Sequence, residues 1–456
     1  MFFLYSILLT IGIAALLPRF AYDALRHGKY VAGLRERLGH LPPLQSEGRP
    51  VVWLHCVSVG EAQAARPLAR ALLDKYPTHA LVVSTTTATG QRIAREVFRE
   101  DAAAVFYFPF DWAWTVRRAL RRIKPSAVLI METELWPRFL RECDRRHIPV
   151  AIVNGRLSER SFRRYKIIRR FISRIVNYLD LALMQTEADA QRMRALGMKP
   201  ASVLVSGNVK FDVGVNEVEH ALTMKLRGRF QLYDERPLVV AASTHSPEER
   251  IVIEAFKRLR AASLSRQPRL LLAPRHPERF AEVASLLDSS GFKWVRRSSV
   301  ESEHDAACDI ILLDTIGELR AVYPLAALVF VGGSIAPVGG HNILEPAAAG
   351  ACIITGPHTA NFAAIIRAFL DAQALVQLPL SPETQLEAAL AQSCLELLAN
   401  DEMRLRLGEN ARATLEQNRG ATDRTIGMLA PLLATPTDCS MTEQMHSAQA
   451  SSALSS

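Results

Sequence analysis

From Val51 onward the chain repeats one device: a short run of apolar, often β-branched residues, then a segment of helix length, then another run. Val51–Val57, Ala80–Thr86, Ala104–Phe108, Ala127–Met131, Pro149–Val153, Leu181–Met184 and Ser202–Val205 form a first series. Runs that are apolar on both faces suit parallel strands covered by helices on both sides, because each parallel connection needs a crossover. The pattern stops over the charged stretch Asp212–Arg236. It restarts as Leu238–Ala242, Arg269–Ala273, Lys293–Arg296, Asp309–Leu313, Ala327–Val331, Cys352–Thr355 and Leu375–Leu378. Two such series predict an α/β chain of two Rossmann-like domains facing a cleft, with one larger sheet as the alternative. A length of 456 residues also exceeds what a single core usually serves. The expected domains are 45–215 and 235–430.

The residues before this series are of another kind. Met1 to Leu17 carry no charged side chain and run into Pro18, and Arg19, Arg26, Lys29, Arg35 and Arg37 follow. The stretch is at the short limit of a membrane helix, and the basic residues behind it place the remaining chain on the cytoplasmic side. The expectation is a membrane anchor over 1–20, spanning or deeply embedded, with a buried core helix as the alternative. A signal peptide would need basic residues first and a small-residue cleavage site after, and neither is present. The small, polar tail 434–456 is expected to be disordered. Six scattered cysteines without zinc spacing read as reduced side chains, and no metal site is expected. A net charge of +9 favours an anionic partner. The basic, aromatic stretch Arg156–Phe171 suits an anionic membrane or a phosphorylated lipid, or else is a solvated helix face. Nucleic acid is disfavoured, since no recognised binding motif accompanies the charge.

Neither the G-x-G-x-x-G fingerprint nor a P-loop occurs, so dehydrogenase and ATPase readings lack their main support. The richest stretch is Val331–Gly350, in which a strand opens into four glycines and then a helix start near Asn342. Such glycines let a backbone approach a phosphate, and free amides at a helix start would favour it. Glu345 is suited to accept from ribose hydroxyls, or else caps the helix. Arg275 after Arg269–Ala273, Ile316-Gly317-Glu318 after Asp309–Leu313, and Ser243-Thr244-His245 after Leu238–Ala242 add polar groups at further strand ends. Several in one domain point to a shared ligand containing phosphate and ribose. In the first half, Glu61 follows Val51–Val57, and Glu132 and Glu134 follow Ala127–Met131. Two residues apart on an extended segment, Glu132 and Glu134 would face one way. Glu61 reads as a general base, or as a first-turn carboxylate favoured by the helix dipole. Pro67 suits a first turn and moves the expected helix start towards Ala65. Lys210 could steady a departing phosphate.

Val57-Ser-Val-Gly-Glu61, Met131-Glu-Thr-Glu-Leu-Trp-Pro137, Gly207-Asn-Val-Lys-Phe-Asp212, Pro274-Arg-His-Pro-Glu-Arg279 and Gly339-Gly-His-Asn-Ile-Leu-Glu345 occur in this order. Together they resemble the bacterial 3-deoxy-D-manno-octulosonic acid (Kdo) transferases of lipopolysaccharide assembly, from the N-terminus to about residue 430. The resemblance implies a GT-B fold and an inner-membrane protein with its domains on the cytoplasmic side. It implies transfer of Kdo from CMP-Kdo to a lipid A precursor (lipid IVA), with inversion and without metal or cofactor. Carried over by position, Glu61 is the proton acceptor, and Glu132 and Lys210 stabilise the transition state. CMP contacts fall on Pro274, Arg275, Ile316, Gly317, Glu318, Asn342, Ile343, Leu344 and Glu345. Ile343 and Pro346 depart from the residues that flank the Glu in some members. The rival readings are a UDP-GlcNAc transferase or 2-epimerase, and a non-catalytic, membrane-anchored nucleotide-sugar binding protein.

Overall fold

The computed structural model describes residues 2–27, 33–44, 48–212, 217–233 and 236–433, so the tail 434–456 lies outside it. The chain forms two compact units. One holds the residues up to Asp212 and those from Arg419, and the other runs from Val213 to Asn418.

In the first unit the strands are β1 (Val51–His55), β2 (Ala80–Thr85), β3 (Ala102–Tyr107), β4 (Ala127–Met131), β5 (Val150–Gly155), β6 (Leu181–Met184) and β7 (Val203–Val205). They form one parallel sheet in the order β3-β2-β1-β4-β5-β6-β7. The continuous apolar runs have a direct physical cause, because successive side chains leave a strand on opposite faces. Val51 and Trp53 enter one core with Val82, Val128 and Ile152. Val52 and Leu54 enter the other with Leu81, Leu129 and Ala151. The last described helix, Ala421–Leu433, belongs to this second core through Ile426, Leu429 and Leu433. Its start is fastened by Asp212, whose carboxylate accepts from the Gly420 amide at 2.7 Å and the Thr422 amide at 2.6 Å.

The second unit repeats the plan with β8 (Leu238–Thr244), β9 (Arg269–Pro274), β10 (Trp294–Arg296), β11 (Ile310–Leu312), β12 (Ala326–Val331), β13 (Cys352–Thr355) and β14 (Val376–Gln377). The order is β10-β11-β9-β8-β12-β13-β14, again parallel. Strand order reverses direction at β1/β4 in one sheet and at β8/β12 in the other. Open parallel sheets bind ligands at these points, outside the carboxyl ends of the strands.

The N-terminal residues form the helix Phe2–His27. Among the described residues no helix is long and apolar enough to cross a membrane, so the spanning form of the expected anchor has no support. One side of this helix is tied to the first unit by polar contacts. Tyr5 donates to Asp111 Oδ2 at 2.8 Å, Arg138 donates to Ser6 Oγ at 2.9 Å and to the Phe2 carbonyl at 2.7 Å, and Phe2 is buried. Phe3, Leu4, Leu8 and Ile11 are exposed. Asp111 is buried, accepts the Arg138 and Phe139 amides that open the helix Pro137–Asp144, and is pushed up to about 7 by that burial. The five described cysteines are buried and free.

Trp53 is fully buried, with its ring 5.3 Å from Phe106 and 5.1 Å from Phe139 and its indole N–H on Ser84 Oγ at 2.7 Å. Trp53→Ala should cost the first unit about 4 kcal/mol, measured by denaturant unfolding.

Candidate active site

The loop after β1 delivers Glu61. Ser58 caps the helix Val59–Lys75 by accepting the Glu61 amide at 3.4 Å, so the helix starts at Val59, not near Ala65, and Pro67 lies inside it. The Glu61 carboxylate turns back on the cap. Oε2 accepts the Val57 amide at 2.8 Å and Oε1 accepts the Ser58 hydroxyl at 3.0 Å. The side chain thus has the geometry of a reciprocal cap. It is 8% exposed. Burial pushes its pKa up to about 7, the Val57 amide pulls against this, and the charge of Glu132 adds to the rise. A Cβ placed on the neighbouring Gly60 would meet no atom within 4 Å, so the backbone beside Glu61 is open to approach.

Across the switch point, β4 ends at Met131 and Glu132 takes a left-handed φ of 55°. Such a φ is uncommon away from glycine and turns the chain sharply. Glu132 and Glu134 therefore do not lie on one extended segment, as alternation had suggested. Both carboxylates nevertheless come near enough to Glu61 to raise it. Glu132 Oε1 lies 3.5 Å from Lys210 Nζ, with both side chains about a quarter exposed. Lys210 sits on the short turn Val209–Phe211 after β7. Asn154 at the end of β5, also left-handed, accepts the Val209 amide at 3.1 Å, and Asn208 accepts the Lys210 amide at 3.0 Å. Arg424 grips the same loop at the Ser206 carbonyl, 3.0 Å away. The first unit thus brings Glu61, Glu132 and Lys210 together on strand ends that are far apart in sequence.

In the second unit, β9 ends at Pro274 and Arg275 follows, exposed, with its amide on the Thr244 carbonyl. Ile316, Gly317 and Glu318 follow β11. Ile316 is exposed, Gly317 has a φ of 86°, and the Glu318 carboxylate is held by Arg297 and by the Thr315 hydroxyl at 2.8 Å. Glu318 therefore fixes its own loop, leaving backbone groups to face a ligand. Asn342 bridges the start of the helix Leu344–Ala348, accepting the Leu344 amide at 3.1 Å and donating to Glu345 Oε1 at 3.3 Å. Ile343 and Leu344 are wholly buried and set the backbone of that turn. Burial raises the Glu345 carboxyl, and the charges of Arg320 and Arg275 lower it. A cavity of about 290 Å³ opens against Glu345, Arg320 and Thr223.

The glycine loop itself departs from expectation. The amides of its first turn, Gly333 to Ala336, are not free for a phosphate, because Glu248 occupies them. Glu248 Oε1 accepts from Ser334, Ile335 and Ala336 at 2.8 to 3.0 Å, and Oε2 accepts from Gly333 at 2.7 Å and His245 at 2.9 Å. Gly332 donates to the Ala242 carbonyl. Burial raises the carboxyl of Glu248, and the Gly333, His245, Ile335 and Ala336 amides pull against that rise. Nothing in the sequence near Glu248 announces this, since four of its five partners lie more than eighty residues away. The local Glu248-Glu249 pair reads only as a helix start. The imidazoles of His245, His276 and His341 also converge here, and only His245 had been singled out from the sequence. Among the described residues no group of three or more His, Cys, Asp or Glu is placed to hold a metal ion.

The family model described as 3-deoxy-D-manno-octulosonic-acid transferase (kdotransferase) matches residues 32–213. The 3-deoxy-D-manno-octulosonic acid transferase of Haemophilus influenzae is 34% identical over 434 residues, which cover 94% of this chain and 98% of that protein. The chain belongs to the Kdo transferases. As a member of that family it is a glycosyltransferase. Two solved structures share the fold: a glycosyltransferase from Rickettsia africae (TM-score 0.54, 13% identity, 85% of this chain and 100% of that one) and a putative UDP-N-acetylglucosamine 2-epimerase from Listeria monocytogenes (TM-score 0.54, 15% identity, 84% and 95%). A fold shared by both chemistries does not choose between them. Sequence likeness over nearly the whole chain places this one with the Kdo transferases.

Glu248→Gln puts an amide NH₂ against buried N–H donors. It should destabilise the second unit by about 3 kcal/mol, read as a lowered denaturation midpoint for that unit.

Proposed function

We propose that the chain transfers Kdo from CMP-Kdo to the lipid A precursor, lipid IVA, in lipopolysaccharide biosynthesis, with Glu61 as general base. The first unit is read as the acceptor domain and the second as the CMP-sugar domain. One observation carries the assignment: a nearly buried carboxylate at the β1/β4 switch point, fixed by two hydrogen bonds and pushed up to about 7. A base that takes a proton from a sugar hydroxyl works best when its pKa lies near the working pH. As the hydroxyl oxygen attacks the anomeric carbon, its proton passes to Glu61. The bond from that carbon to the phosphate oxygen breaks, and its electron pair leaves with CMP. Attack from the face opposite CMP inverts the centre. Lys210, steered by Glu132, supplies positive charge for the departing phosphate. Pro274, Arg275, Ile316-Gly317-Glu318 and Asn342–Glu345 hold CMP, the Arg275 fork suiting its phosphate and Glu345 its ribose. No step calls for a metal or cofactor.

Replacing Glu61 by Gln should lower transfer about 10²- to 10⁴-fold, followed by mass analysis of the Kdo-bearing lipid, while CMP binding is retained. The wild-type rate should rise with pH through about 7, because below that value Glu61 is protonated and accepts nothing. The variant's residual rate should lack this rise. Full activity in a folded Glu61→Gln protein excludes it as the base.

We place the protein at the cytoplasmic face of the inner membrane, held by an N-terminal helix that lies in the interface. The exposed Leu4 and Leu8 share a groove of about 540 Å³ with Ile167 and Ile168, bordered by Lys166, Arg169 and Arg170. Apolar side chains beside basic ones suit an anionic bilayer surface. Leu8→Asp combined with Ile167→Asp should weaken co-sedimentation with anionic vesicles about tenfold or more, with CMP binding unchanged.

A further inference from the structure

Phosphates in doubly wound folds commonly sit on the amides of a glycine-rich turn at the switch point. In the second unit that place is filled from within. From Gly332 to Ala336 each amide already has a partner, four of the five on Glu248. Pro337 has no amide hydrogen, and Val338 and Gly340 donate inside the loop to Ala336 and Gly333. Between Gly332 and Ala336, an anion arriving at the carboxyl ends of β8, β9 and β12 therefore finds no free amide, and side chains are the donors left to it there.

The side chains there are of one kind. His245 follows β8, Arg275 and His276 follow β9, and His341 comes from the loop after β12. His245 Nε2 lies 2.8 Å from His341 Nε2, with the rings stacked at 5.0 Å, and His276 meets His245 edge-on at 5.1 Å. Two nitrogens facing each other at hydrogen-bond distance share one proton, so each ring holds a polar nitrogen close to a neighbour of the same character. Burial lowers the pKa of both rings, that of His341 to about 4, and the charges of Arg275 and His276 lower both further, with Arg279 adding to this at His245 and Glu249 opposing it, so each ring donates as a neutral imidazole. Arg279 is already paired with Glu249 and Glu282, whereas Arg275 has no ion pair among the described residues. Gly333 makes the arrangement possible. A Cβ there would come within 2.7 Å of the His341 ring, at a φ of 64° that favours glycine in any case.

We infer that His245 and His341, flanked by Arg275 and His276, form the subsite that grips the phosphate of the nucleotide donor, taking the place of the glycine-loop amides that Glu248 occupies. This rests on the reading of the second unit as the CMP domain. A phosphate oxygen accepts from imidazole N–H and from the guanidinium, and breaking the His245–His341 contact frees for it the one N–H that the two rings share.

The test compares CMP with cytidine by calorimetry on the full-length protein. Wild type should bind CMP more tightly than cytidine. His341→Ala and His245→Ala should each cut CMP affinity about tenfold or more, while cytidine affinity changes less than about twofold. His341→Gln, which keeps a side-chain N–H donor, should recover part of the loss, and a near-native unfolding midpoint confirms that each variant folds. A merely structural role would lower both ligands together, and that result overturns the inference. So do variants that bind CMP as wild type does, or a wild-type protein that binds cytidine and gains nothing from the phosphate. These outcomes leave the CMP domain standing. If wild type binds neither ligand, the donor assignment itself fails and the subsite falls with it.

Discussion

Backbone N–H groups beyond the ends of parallel strands have left the ladder and are too buried for water, so something in the chain must accept from them. In this molecule carboxylates do so repeatedly. Glu61 takes Val57, Asp111 takes Arg138 and Phe139, Asp189 takes Leu157, and Glu248 takes five. Each bond fixes a loop at the edge where ligands bind. The shape of both candidate sites depends on these carboxylic side chains.

The same requirement explains why a structural and a chemical reading of one residue need not compete. Glu61 is a capping carboxylate by geometry. Its cap holds both oxygens in place and leaves the group nearly dry, and dryness beside Glu132 lifts its affinity for a proton to the range a base needs. Glu248 shows the other outcome. With five donors and no opening beside it, it is committed to architecture. Burial raises both carboxyls; the five amides on Glu248, against one amide and one hydroxyl on Glu61, mark which of the two is used to hold a loop.

Much of this was legible in the sequence, and the reasons are specific. All fourteen apolar runs are strands, because a strand that feeds two cores must be apolar at every position, as Val51 to Leu54 are. Ends were less sharp: the run to Val57 stops as a strand at His55, since the chain must turn to place Ser58 as a cap. The polar residues at strand ends were found for the same topological reason. Left-handed Glu132, the Glu248 contacts and the converging imidazoles were not legible. Each depends on residues brought together across a sheet, and local periodicity carries no trace of such pairs. The N-terminal apolar stretch was legible as a helix but not in its setting, because Tyr5, Ser6 and Thr10 look incidental until Asp111, Arg138 and Trp112 are seen to meet them.

The return of Ala421–Leu433 to the first unit has a consequence for how the molecule can be divided. Residues 213–418 are an insertion within another domain, not a successor to it. Their two points of attachment are hydrogen-bonded to each other, Asp212 to the Gly420 amide at 2.7 Å. A segment whose ends leave and re-enter at one spot can be exchanged as a cassette without stretching its host. A cut made only at residue 212, by contrast, would strip the first unit of Ile426, Leu429 and Leu433 from its own core.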